Sequence, residues 1–171
     1  DPTTERVPVP DFAGDVTKGL SGLKVGVPLD YYFDLVDEEV EAAVRGAIAT
    51  LGELGAEVRD VRLETLEHAE LLRIASAADA YQVHEPYLKG NREEYSPVLF
   101  YRFLSAGFVS AKDYIKSLKL QRLVQEEYAQ VLREVDLLVT PTNPTAAPLC
   151  GSDTATIRGR EYRVIPPGTN I

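Results

Sequence analysis

Tyr114, Gln121, Arg122 and Gln125 are polar side chains on what is otherwise a hydrophobic helical face. Taken at 100° per residue, Tyr114, Ile115, Leu118, Val124, Tyr128, Ala129, Val131, Leu132 and Val135 form one broad apolar arc. Gln121 and Gln125 fall near the middle of that arc and Arg122 falls on its edge. A primary amide offers two donors and an acceptor, and a guanidinium offers paired donors that match a carboxylate. Left unpaired in a core, such a group costs about 1–3 kcal/mol, more if charged. Either the fold supplies the partners or a small ligand does. The chemistry implied in the second case is recognition of an amide or a carboxylate.

Other chemistries find less support. A Gly-x-Ser-x-Gly nucleophile elbow is absent, since Gly151-Ser152-Asp153 lacks the second glycine and a strand feeding into a helix. Gly19, Gly22 and Gly26 do not open a helix as a phosphate loop requires. The acidic run Glu38 to Glu41 reads as a solvated helix start. His68 and His84 lie sixteen residues apart, not one helical turn, so no metal site is expected. His84-Glu85 is either an orienting pair or a surface feature. The single cysteine, Cys150, excludes an internal disulfide and reads as a small residue in a turn. No catalytic residue, metal or cofactor is assigned within the chain.

The elements that must position the polar face follow from periodicity and turn residues. Residues 1–22 hold three of the eleven prolines together with Gly14, Gly19 and Gly22, and read as an extended lead-in. Residues 23–171 read as a single α/β domain. Leu23 to Pro28 is a strand. Asp37 caps a helix striped by Val40, Val44, Ala47, Ile48, Leu51 and Leu54, which Gly55 stops, and Glu57 to Leu63 is the next strand. Strand, helix and strand make a βαβ unit with a parallel pair. Leu66 to about Leu88 is helical, with Ala75, Ala77, Ala78 and Ala80 permitting close packing. A short helix spans Pro97 to Leu104 and is broken by Gly107. Ser110 caps the long helix, which runs to about residue 134. Asp136 to Pro141 is a short buried strand, and Thr154–Ile157 with Tyr162–Ile165 form a hairpin around Arg158-Gly159-Arg160.

Composition sets the outer bounds. The 171 residues, 44% hydrophobic, suffice for one continuous core. A net charge of −9 argues against a direct nucleic-acid surface, and the basic residues are scattered, with Arg158, Arg160 and Arg163 spaced like an exposed strand face. No run approaches the apolar length of a membrane span, and a soluble, cytoplasmic protein is expected. The chain lacks methionine and starts at Asp1, so its N-terminus is expected to arise by processing, cloning or excision from a longer chain.

At Asp1-Pro2, Gly22-Leu23-Lys24-Val25-Gly26-Val27-Pro28, Val40-Glu41-Ala42-Ala43-Val44, Leu54-Gly55-Ala56-Glu57-Val58 and Asp136-Leu137-Leu138-Val139-Thr140-Pro141-Thr142, the chain resembles the amidase signature family over nearly its whole length. The resemblance implies part of that α/β fold, a mixed sheet with flanking helices. It also implies cleavage of amides by a Ser, cis-Ser and Lys triad. Neither a Gly-Gly-Ser-Ser-Gly-Gly-Ser type segment nor its lysine is found here, so the chain matches the middle to C-terminal part of such an enzyme, inactive alone. It would contribute scaffold and substrate pocket. The implied partners are a small amide substrate and the remainder of the amidase chain, with a homo-oligomer left open.

In the family branch that amidates tRNA-bound glutamate, an arginine on the matching helix grips the carboxylate of glutamine. Arg122 corresponds to it by position, with Gln121, Gln125 and Tyr114 as supporting pocket residues. That branch's aromatic pair appears here as Leu71-Leu72 and its glutamate as Asp79, which favours a general amidase. Two alternatives stand beside it. One is a non-catalytic small-molecule-binding or interaction module on the same scaffold, and the other is the A-type subunit of a glutamine-dependent amidotransferase.

Overall fold

A computed structural model describes residues 6–14, 16–152 and 154–163. Strand β1 (Lys24–Pro28) is the centre of a three-stranded parallel sheet, between β2 (Glu57–Val61) and β3 (Leu137–Leu138). Val25 pairs with Val58 on one side and Leu137 on the other. Because both flanks of β1 are bonded, four of its five residues are buried. Pro28, which has no N–H, ends the strand, and Leu29 N–H donates to Val61 O instead (3.0 Å). Asp136 locks the other edge, its backbone N–H donating to Lys24 O and its carboxylate accepting from Lys24 N–H, both at 2.8 Å.

Helix α1 (Glu38–Glu53) completes the expected βαβ unit. The Asp37 carboxylate caps it by accepting from Glu39 N–H (3.1 Å). At the other end Gly55, at φ 99°, allows Ala56 N–H to reach Leu51 O and Gly55 N–H to reach Gly52 O, each at 3.0 Å. That pair of bonds is a Schellman closure. Val40, Val44, Ile48 and Leu51 are half-buried, whereas Ala47 and Leu54 of the expected stripe are exposed, since the helix packs on one side only.

The region expected as one helix from Leu66 begins instead as a 3-10 segment, Glu64–Leu72, interrupted by non-helical dihedrals at His68. It continues as α2 (Arg73–Gly90). Helix α3 (Pro97–Ala106), capped by Ser96, packs on α2. Helix α4 (Ala111–Val131), capped by Ser110 through Asp113 N–H (3.1 Å), packs on α2 and on the 3-10 segment. The buried strand expected from Asp136 to Pro141 is confined to Leu137–Leu138, although Val139 N–H still reaches Gly26 O (3.0 Å).

Strands β4 (Thr154–Ile157) and β5 (Arg160–Arg163) form the expected antiparallel hairpin. Parallel and antiparallel pairs therefore both occur, but in two separate sheets. Arg158 and Gly159 both have positive φ (48° and 78°), the signature of a type I′ turn. Arg158 is thus not on a strand face. Its guanidinium donates to Val36 O (3.0 Å) and to the Glu41 carboxylate, tying the hairpin to the start of α1. A hydrogen bond from Arg45, joined by the charges of Arg45 and Arg158, holds the Glu41 carboxyl below its ordinary range. The remaining residues of the expected hairpin, 164 and 165, lie outside the described residues.

Gly26 marks the tightest point of the sheet. A Cβ there would lie 2.7 Å from Leu138 Cδ2 and 3.1 Å from Val135 Cγ2. Gly26→Ala is expected to lower unfolding free energy by about 1–3 kcal/mol, measured by urea denaturation. An unchanged midpoint would show that β1 has room to spare.

Candidate functional site

A cavity of about 650 Å³ opens where the sheet half and the helical half meet. The loop from β1 to α1 contributes Tyr31 and Tyr32, and the 3-10 segment contributes Leu66, Glu67, Ala69, Glu70 and Leu72. The first turns of α2 add Arg73 and Ser76, and α4 adds Gln121, Val124, Gln125 and Tyr128. Such a volume suits a small organic ligand.

The wall is held by α4 side chains that satisfy the backbone of the 3-10 segment. At its start no local side chain caps the free amides. The Glu127 carboxylate accepts instead from Glu64 N–H (2.7 Å), Thr65 N–H (3.1 Å) and the Thr65 hydroxyl. At its end Leu72 O accepts from the Ser117 hydroxyl (3.3 Å) and from the Gln121 amide (3.4 Å). Ser117, 1% exposed, also accepts from Ala75 N–H (3.2 Å). Exposed helix termini need such partners; here a distant helix supplies them.

Four expected site residues separate on this geometry. Gln121 lines the cavity with one amide hydrogen committed to Leu72 and no other side-chain hydrogen bond among the described residues. Gln125 lines it with no side-chain hydrogen-bond partner among the described residues. Tyr114 lies outside, its hydroxyl donating to Asp79 at 3.5 Å. Arg122 also lies outside: its side chain is 80% exposed and its Nε donates to Glu126 at 2.8 Å.

The expected apolar arc divides accordingly. The packed side of α4 runs through Tyr114, Ser117, Leu120, Gln121, Val124, Glu127, Tyr128 and Val131, while Ile115, Leu118, Ala129 and Leu132 are exposed. Helix α4 therefore buries only one half of its apolar arc, the half turned toward α2 and the 3-10 segment, and leaves the adjoining half exposed.

Several contributors were not singled out from sequence. Arg73 lines the cavity, and its side chain makes no ion pair or hydrogen bond among the described residues. The Tyr32 and Tyr128 hydroxyls share a hydrogen bond across ninety-six residues. Burial first, and then Tyr32, pushes the Tyr128 phenol well above its ordinary value. Ser117 and Glu127 carried a usable signal, since both fall at helical spacing with Gln121 and Val124; their partners did not. His84 is occupied elsewhere, stacked on Phe103 (centroids 4.1 Å apart) with Nδ1 2.7 Å from the Tyr95 hydroxyl. Cys150 is exposed. Among the described residues no group of three or more His, Cys, Asp or Glu could hold a metal ion, and no helix is long and apolar enough to cross a membrane.

Comparisons with known proteins converge. The Amidase family model matches residues 1–165. An amidase of Pseudomonas putida is 34% identical over 157 residues, covering 91% of this chain and 34% of that protein. A glutamyl-tRNA(Gln) amidotransferase subunit of Geobacter sp. (strain M21) is 31% identical over 173 residues, covering 86% of this chain and 36% of the relative. The crystal structure of an amidase superposes with a TM-score of 0.75 at 29% identity, covering 85% of this chain and 33% of that one. The chain thus spans about a third of the length of the curated relatives it matches.

Glu127→Ala is expected to cost about 1–3 kcal/mol by leaving two amides and a hydroxyl without their acceptor. Hydrogen exchange at Glu64 and Thr65 should accelerate more than elsewhere; uniform exchange would show that the cap is not what holds the segment. For Tyr128 the sign of the pH effect is set by a folded pKa above the unfolded one. Stability is retained below about pH 10, then lost as the unfolded chain ionises first. Absorbance at 295 nm should show a late-titrating phenol that disappears in Tyr128→Phe, whereas ordinary titration of all nine tyrosines would contradict it.

Proposed function

The chain belongs to the amidase signature family, and on that premise we propose that it forms one wall of the substrate cleft in a hydrolase of carboxylic amides. The observation that carries this reading is the cavity with two glutamine amides on one helix, the Gln125 side chain without a partner among the described residues and Gln121 only partly engaged there. An amide in the cleft needs a donor for its carbonyl oxygen and an acceptor for its nitrogen, and a primary amide side chain supplies both. Holding the scissile group still converts binding into rate, because a positioned carbonyl meets its nucleophile without further ordering.

The nucleophile is proposed to come from the remainder of the amidase chain. In the mechanism that family membership implies, a serine attacks the carbonyl while a lysine, through a bridging serine, takes the serine proton and returns it to the leaving nitrogen. The exposed side of α4, with Ile115, Leu118 and Leu132 beside Arg122, is the proposed seat for that remainder, since exposed apolar side chains of this kind mark interfaces. On this reading Gln121 and Gln125 meet the ligand, Tyr114 holds α4 to Asp79 of α2, and Arg122 belongs to the seam. Leu72 lines the cavity where the amidotransferase branch would carry an aromatic residue, which supports a general amide hydrolase over a glutamine-specific enzyme.

In the protein at its native length, Gln121→Ala and Gln125→Ala are each expected to raise KM for ammonia release from propionamide about five- to ten-fold. Arg122→Ala serves as the comparison. Loss of propionamide turnover in Arg122→Ala, with both glutamine variants unaffected, would overturn the assignment.

A further inference from the structure

One end of the cavity is aromatic. Tyr31 and Tyr32 line it from the loop after β1, and Tyr128 lines it from α4. Tyr31 and Tyr32 meet edge to face, with centroids 5.3 Å apart and planes at 84°. Tyr31 has φ 65°, a left-handed conformation that a bulky side chain rarely adopts. Its N–H donates to the Asp34 carboxylate at 3.0 Å, and Tyr32 N–H donates to Asp30 O at 2.8 Å. Backbone strain of this kind persists only where the surroundings impose it, and it collects at ligand clamps.

The hydroxyls sharpen the chemistry. Those of Tyr32 and Tyr128 are engaged with each other, so these residues present mainly ring surface to the cavity. Tyr31 remains 44% exposed, and Leu72 and Val124 extend the apolar lining toward the two glutamines. Ring surface of this type favours a second ring, edge to face or offset, over an alkyl group of equal area.

We infer that Tyr31, Tyr32 and Tyr128 form an aryl subsite, and that the ligand class of the cavity is the aryl carboxamide. This rests on the proposed amide cleft and adds its specificity. The aryl group occupies the tyrosine end while its amide meets Gln121 and Gln125. Tyr31 sets the preference, because its ring is the one whose placement depends on a left-handed backbone.

Calorimetric titration of the native-length protein with benzamide and with propionamide tests this. The expected result is tighter binding of benzamide, with the benzamide-to-propionamide ratio falling about three- to ten-fold in Tyr31→Asn and returning in Tyr31→Phe. Asparagine tolerates the left-handed conformation, so this substitution removes the ring while keeping the turn. Tyr31→Gly repeats the ring removal with the backbone strain relieved, and should give the same fall. Equal weakening of both amides in Tyr31→Asn and Tyr31→Gly would overturn the subsite, as would equal affinity of the unsubstituted protein for the two probes; either leaves the amide cleft standing. Binding of neither probe would overturn the cleft and the subsite together.

Discussion

The 3-10 segment Glu64–Leu72 has free backbone groups at both ends, and one face of α4 satisfies them. Glu127 accepts from the first amides, and Ser117 and Gln121 donate to the last carbonyl. The segment is two short 3-10 pieces meeting at the non-helical His68, a conformation with poor hydrogen-bond angles that gains from partners outside it. Here it is held because burying polar side chains on α4 costs little once each has a backbone partner. The polar residues on the packed side of α4 and the unusual conformation of the segment are two aspects of one arrangement.

That arrangement determines where a ligand can sit. Gln121 commits one amide hydrogen to Leu72, and Gln125, one turn further along, makes no side-chain hydrogen bond among the described residues. Both stand on the cavity side because Ser117 and Glu127 set the rotation of the helix against the segment. Arg122, one residue from Gln121, is carried some 100° around the axis and out to Glu126. The sheet half completes the cavity through the loop after β1, joined to α4 by the Tyr32 and Tyr128 hydroxyls. Central placement of β1 makes that loop a dependable donor of side chains, since both edges of the strand are bonded and Gly26 admits no extra atom between its neighbours.

Much of the scaffold was legible from the residues. Asp37, Gly55 and Ser110 act at helix ends through local contacts, and the βαβ unit follows from strand, helix and strand in series. The hairpin was equally local, although its Arg158 turned out to bond across to Val36 and Glu41. The 3-10 geometry was not legible, because its caps come from some sixty residues away. The split of the α4 stripe was not legible either, since periodicity reports that a face is apolar without saying which neighbour covers it.

By itself, then, the sequence determined the elements, their caps and turns, the family resemblance and the anomaly of polar residues on α4, all of which depend on spacing within a few turns of chain. Only the tertiary structure decided which of those polar residues face a cavity. It placed Gln121 and Gln125 on the lining, Arg122 and Tyr114 outside it, and three distant tyrosines at one end. The reason is geometric: the rotation of a helix about its axis is set by what packs against it, and for α4 that partner lies far away in sequence.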